Sequence, residues 1–200
     1  MDVNTLKIPT TLCACVALAL VFMALGCAGV KTVPEDVLNT PQHHVASGYT
    51  LLKKIYLFHA EREFTLALKL DPHSWNAQRG LGLTYARQND FDRAFRQMRK
   101  AAEQAKTRED KAMVDVGFMR LYILEGKAGW FDKVTQCYAD ATMHDSSLPE
   151  AYYFMGVAYQ KVNRFSEARK AFNKVLEVNK AFVAESEDQL RELDRLEKAN

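Results

Sequence analysis

Histidine, cysteine, serine and paired carboxylates build most reaction centres, and in this chain their spacing serves none of the usual ones. The five histidines include one pair, His43-His44. Adjacent residues on a helix point in different directions, and no Cys, Asp or Glu stands beside the pair at metal-ligand spacing. His59, His73 and His144 are isolated. Ser146-Ser147 has no strand-turn-helix elbow around it to make a nucleophile. Gly80-Leu81-Gly82 could suggest a phosphate loop, but it falls inside a predicted helix with no strand before it. Glu61-Arg62-Glu63 reads as a solvated charge run. The expectation is a protein that is not an enzyme, with no metal site and no cofactor.

Composition narrows the partners. The chain has 200 residues, 27 Lys and Arg against 25 Asp and Glu, and a formal net charge of +2. Signs are interspersed and no Lys/Arg-rich run occurs, which argues against a dedicated nucleic-acid binder. The length suits one domain. Four cysteines are present: Cys13, Cys15, Cys27 and Cys137. Cys137 reads as a small, partly buried thiol.

The elements that must position any binding residues show themselves by repetition. Gly82-Leu83-Thr84-Tyr85 and Gly156-Val157-Ala158-Tyr159 open the same pattern, with an aromatic nine residues after the glycine and an alanine twelve after it. Units of 34 residues follow at 41–74, 75–108 and 149–182, around a longer unit of 40 at 109–148. The extra residues of the third unit are expected in its first helix and in the turn Glu125-Gly126-Lys127-Ala128-Gly129. Position eight is Gly48, Gly82 and Gly156, and position eleven is Leu51, Tyr85 and Tyr159. Position twenty is Ala60, Ala94, Val134 and Ala168. Position twenty-four is Phe64, Met98, Tyr138 and Phe172, and position twenty-seven is Ala67, Ala101, Ala141 and Val175. Small residues facing large ones let antiparallel helices interlock closely. Positions 20, 24 and 27 form one apolar stripe on each second helix. The first unit departs from the pattern at its turn, where Lys54-Ile55-Tyr56-Leu57 replaces polar residues.

This constellation resembles the tetratricopeptide repeat over roughly Pro41 to Phe182. The resemblance implies an all-α fold: an α-solenoid of about four helical hairpins, with residues 183–200 as a C-terminal capping helix. Phe182, Leu190, Leu193 and Leu196 are the candidate contacts of that cap. The resemblance also implies a concave groove lined by first helices at positions 2, 5, 9, 12 and 13, which presents a surface for a protein or peptide. Here the groove residues are Tyr49, Lys53, Asn76, Arg79, Arg87, Arg120, Tyr153, Gln160 and Lys161. Five of these are basic, and Glu150 at the edge is acidic. Arginine forks bind carboxylates and tyrosines anchor apolar groups, so a partner of acidic character is one expectation. Ordinary solvated surface cations are the other. The Lys/Asn pattern of chaperone-binding carboxylate clamps is not matched, since Val45 and Tyr49 stand at those places.

The N-terminus reads as an address. Lys7 precedes an uncharged, mostly apolar run from Leu12 to Leu25, shorter than the ~20 residues of a membrane-spanning helix. The run ends in Met23-Ala24-Leu25-Gly26-Cys27, which resembles a bacterial lipobox with Ala24 and Leu25 exchanged. The resemblance implies a lipoprotein signal peptide at 1–26, lipid on Cys27, a tether at 27–40, and a place on the outer membrane facing the periplasm. An ordinary secretory signal cut near Ala28-Gly29, or an uncleaved anchor, are the alternatives. About 13 extended tether residues reach at most about 45 Å.

Architecture and address together are similar to those of pilus and secretin assembly lipoproteins, which implies a scaffold for an envelope machine. An adaptor for peptidoglycan-processing enzymes, or a factor in outer-membrane protein assembly, carries the same two features. A small-molecule site would need a closed pocket with convergent polar groups.

Overall fold

Four helical hairpins follow one another from Pro41 to Val178, and a further helix closes the array. The computed structural model describes residues 39–199. The expected signal peptide, Cys27 and the expected tether up to residue 38 lie outside the described residues. The hairpins are α1 (Pro41–Lys53) with α2 (Leu57–Leu70), α3 (Trp75–Arg87) with α4 (Phe91–Gln104), α5 (Arg108–Glu125) with α6 (Trp130–His144), and α7 (Pro149–Lys161) with α8 (Phe165–Val178). Helix α9 spans Val183–Ala199. No strand occurs among the described residues, and no helix there is long and apolar enough to cross a membrane.

Local chemistry sets the ends. Thr40 accepts a hydrogen bond from the His43 N–H, with Pro41 in the first turn, where a missing N–H does no harm. Ser74 and Asp90 cap α3 and α4 in the same way. Thr107 and Asp110 form a reciprocal capping box on α5. Gly126 ends α5 in the left-handed region at φ 65°, which glycine enters without strain. The third unit's extra length appears largely in α5, which has 18 residues against 13 in α1, α3 and α7.

The repeat stripe is the core. Ala60, Ala94, Val134 and Ala168 are fully buried, as are Ala67, Ala101, Ala141 and Val175. Position twenty-four acts as a knob. Phe64 is fully buried between Gly48 of its own unit and Gly80 of the next. Met98 is held in the same way by Gly82 and Gly117, and Phe172 lies against Gly156. With Tyr122 at position eleven, Gly80 and Gly117 both stand at position six, so each is the socket for the preceding unit's knob. In the fourth unit position six is Phe154, which leaves no socket. Tyr138, the third unit's knob, remains partly exposed and meets the Tyr152 ring edge-on at 5.9 Å.

The cap packs on α8. Leu193 and Ser186 are fully buried, while Phe182 and Leu190 are partly buried. Phe182 turns the chain at φ 61° and lays its ring 4.8 Å from Tyr153. Glu61 and Glu63 are more engaged than a solvated run: Glu63 meets His44 at 2.7 Å, and Glu61 accepts from Gln88 at 3.0 Å.

One half-buried carboxylate makes stability depend on pH. Asp115 on α5 faces α6, with His144 Nε2 at 3.9 Å and its side chain 23% exposed. Burial first, and then the Asp140 charge, push it up to about 7. The folded state therefore keeps a proton that the unfolded chain releases near pH 4, so stability falls as pH rises from about 4 to 7 and stays reduced above. One unit is worth about 1.4 kcal/mol, which bounds the effect near 4 kcal/mol; water penetration brings it to about 1–2 kcal/mol. Asp115→Asn is expected to stabilise by that amount at pH 8 and by almost nothing at pH 4, read by urea unfolding at both. Equal gains at both pH values would overturn this account. Burial also pushes the neighbouring Cys137 thiol up to about 12, so it stays protonated and poorly nucleophilic near neutral pH.

Candidate partner-binding groove

First helices α1, α3, α5 and α7 run side by side because each is followed by an antiparallel second helix, and the surface that the repeat architecture presents to a partner is their shared free face. The centre of that surface is a connected polar set. Arg79 Nε donates to the Met113 carbonyl at 2.8 Å, and its Nη1 donates to Tyr49 Oη at 2.9 Å. Tyr49 Oη donates to Asn76 Oδ1 at 2.7 Å. These bonds tie α1, α3 and α5 together from the groove side. Arg79 is only 4% exposed, so it belongs to the wall of the groove as well as to its charge.

Arg120 on α5 lies beside this set with its guanidinium 4.9 Å from the Phe154 ring centre. Burial first, and then the neighbouring Arg79 charge, bring it down to about 10. It stays cationic near neutral pH all the same. Arg87, at the end of α3, is exposed and contributes to the same field. No ion pair with a carboxylate is formed by Arg79, Arg87 or Arg120 among the described residues. Tyr153 completes the centre. Its phenol is raised above the ordinary value, by burial first and then by Glu185 and Asp188.

The remaining groove residues separate from this centre. Lys53 is turned toward α9, with Glu185 Oε1 at 3.5 Å. Both side chains are well exposed, at 83% and 42%, so the pair adds little stability. Lys161 Nζ donates to the Ile123 carbonyl at 3.2 Å and so covers the C-terminal turn of α5. Gln160 is partly exposed beside it. A cleft of about 690 Å³ opens at the N-terminal ends of α1 and α3 and includes Gln42, Val45, Tyr49, Trp75 and Asn76.

The resemblance names Tyr49, Asn76, Arg79 and Arg120 as groove positions but says nothing of the bonds that join Tyr49, Asn76 and Arg79. It also missed Met113 and Phe154, whose carbonyl and ring hold the two arginines. No sequence signal marks a backbone carbonyl as a partner. Among the described residues no group of three or more His, Cys, Asp or Glu side chains converges to hold a metal ion.

The architecture agrees with known proteins. The tetratricopeptide repeat family model matches residues 149–182, the fourth hairpin. PilF of Pseudomonas aeruginosa is similar in structure at 18% identity and a TM-score of 0.55, over 70% of this chain and 61% of that one. This chain thus spans less than two thirds of PilF. MamA is similar at 21% identity and a TM-score of 0.47, over 72% of this chain and 83% of that one. YrrB, described as a TPR protein with an unusual peptide-binding site, follows at 16% identity and a TM-score of 0.33, over 68% and 85%. No curated protein sequence matches the chain. The described chain is an α-solenoid of tetratricopeptide-type hairpins, with residues 149–182 its matched repeat.

Proposed function

We propose that this protein is a membrane-tethered scaffold whose concave groove captures an acidic segment of a protein partner. The observation that carries the reading is the centre of the groove: Arg79, Arg87 and Arg120 feel one another's charge there, between Tyr49 and Tyr153, and none is ion-paired to a carboxylate among the described residues, Glu150 being the smallest of the influences on Arg120. Like charges held together in a partly dry site favour an incoming anion, and guanidinium forks bind carboxylates bidentately. Lipid on Cys27 would supply the tether, since acyl chains bury many CH2 groups and more than one chain gives stable anchoring. A scaffold on the outer membrane, facing the periplasm and serving a pilus or secretion machine, combines this groove with that address. The likeness to PilF supports it at the level of fold.

Arg87→Glu is the informative variant because Arg87 is exposed and holds no other element. Crosslinking from membranes is expected to recover a partner with the parent chain and ~10-fold less with Arg87→Glu, an effect of about 1.4 kcal/mol, at unchanged helicity and melting temperature. Undiminished recovery would remove the groove from the mechanism. Cys27→Ser tests the tether separately, and membrane association that survives it would exclude the lipid anchor.

A further inference from the structure

The turn between α1 and α2 carries a second surface. Its Ile55, Tyr56 and Phe58 are 63%, 57% and 76% exposed. The corresponding turns of the second and fourth hairpins place Asn89 and Asn163 at φ 64° and 58°. Asparagine tolerates that left-handed conformation. In the first hairpin the residue is Ile55 at φ 64°, where a β-branched side chain is strained. The turn therefore bears two costs that its equivalents avoid: a strained backbone and bare apolar surface.

The exposed side chains are also braced. The His59 ring stands edge-on to Tyr56 at 6.4 Å and to Phe58 at 5.8 Å. Lys53 and Lys54 precede them, both exposed; Glu185 of α9 stands 3.5 Å from Lys53 in a solvent-open pair that headgroups can displace, and Lys54 forms no ion pair among the described residues. The nearest acidic groups on α2 face elsewhere: Glu61 toward Gln88 and Arg93, and Glu63 toward His44. Arg87 and Lys161, at the ends of the parallel helices α3 and α7, put further positive charge on the same edge of the array.

We propose that this edge docks on a membrane surface containing anionic lipid, with Ile55, Tyr56 and Phe58 entering the interface and the lysines meeting the headgroups. Aromatic rings settle at the headgroup level, and each nearby Lys or Arg adds attraction to anionic lipid. Three protruding side chains suit a fluid interface. They are too few for a stable protein interface, which takes about 20–30 residues a side. The proposal does not rest on the lipid on Cys27; it shares Lys53, Arg87 and Lys161 with the groove, but Ile55, Tyr56 and Phe58 are not groove residues.

The test is a full chain carrying Phe58→Trp, mixed with vesicles of phosphatidylethanolamine and phosphatidylglycerol in a ~7:3 ratio whose acyl chains are brominated. The parent chain, with Trp75 and Trp130, gives the baseline. The added emission is expected to shift blue and to fall about twofold, because a ring at the headgroup level lies within reach of the bromines. Adding Ile55→Asn and Tyr56→Asn is expected to abolish that quenching at unchanged helicity, as is replacing the mixture by neutral phosphatidylcholine. An introduced tryptophan that stays unquenched while the chain floats with the vesicles would overturn the proposal. So would a chain that does not bind the vesicles, or a turn protected only by another protein. The readout follows the turn itself, so loss of the Cys27 anchor and failure of this docking remain distinguishable.

Discussion

Gly80→Ala is expected to destabilise the protein by about 2–3 kcal/mol, although glycine-to-alanine inside a helix ordinarily gains about 1 kcal/mol. The sign reverses because of one ring. A Cβ at Gly80 would stand under 3.0 Å from three ring carbons of Phe64. Phe64 is fully buried, and on its other side Gly48 leaves as little room, with a Cβ there meeting the ring at 2.7 Å. The ring has nowhere to retreat. For an array of this size the loss corresponds to a melting temperature lower by roughly 5–10 °C. Phe64→Leu in the same chain is expected to recover much of it, since the smaller side chain vacates the overlap at the cost of a modest cavity. A double-mutant cycle reads the coupling. Gly126→Ala is the control. It has open space around it and φ 65°, so it is expected to cost only about 1 kcal/mol, through backbone strain. A Gly80→Ala chain that melts higher than the parent would show that Phe64 is not wedged.

Arg79→Ala has the second large effect, a loss of about 2–3 kcal/mol. The substitution removes a charged donor from the Met113 carbonyl, which keeps its helical N–H partner within α5, and a charged partner from Tyr49 Oη. Each hydrogen bond to a charged group is worth about 1.5–3 kcal/mol, and Arg79 makes two of them. Relief of the repulsion with Arg120 offsets part of this, and the Arg120 guanidinium should move back toward its ordinary range. Arg79→Lys is expected to rescue little, because an ammonium cannot place two donors in a fork. With Tyr49→Phe the two losses are expected to be less than additive, as the variants break a shared bond. Full additivity would mean that the pair does not act as a unit. Loss of partner capture in Arg79→Ala would then confound unfolding with recognition, which is why Arg87 is the cleaner probe of the groove.

Much of the architecture was legible because interlocking helices need small and large side chains at fixed distances. Ala60, Ala94, Val134 and Ala168 could be placed in the core from spacing alone, and Phe64, Met98 and Phe172 as the groups that fill it. Position six was less visible. Gly80 stands two residues from the repeat's own glycine, and its role depends on the ring of the preceding unit, which within-unit spacing does not report. Gly117 was hidden by the length of α5, which shifts its register. The candidate groove could be written from the resemblance as a set of residue types and not as a geometry. Charge suggests exposure, so nothing in the sequence distinguished the enclosed Arg79 from the exposed Arg87. The α1–α2 turn was visible as a departure, but its left-handed Ile55 was not.

The absence of a socket at Phe154 has a mechanical consequence. Hairpins one to three are joined by side chains seated in the next unit's backbone, so a load applied to one is passed to its neighbour with little give. The joint to the fourth hairpin has no such seat; it rests on a shared apolar cluster that includes Val116, Met119, Ala151 and Met155, and on the edge contact of Tyr138 and Tyr152. Under tension the array would flex there first, as a lever with a stiff arm and a soft pivot, and the distance between Arg120 and Tyr153 would change before any other span of the groove.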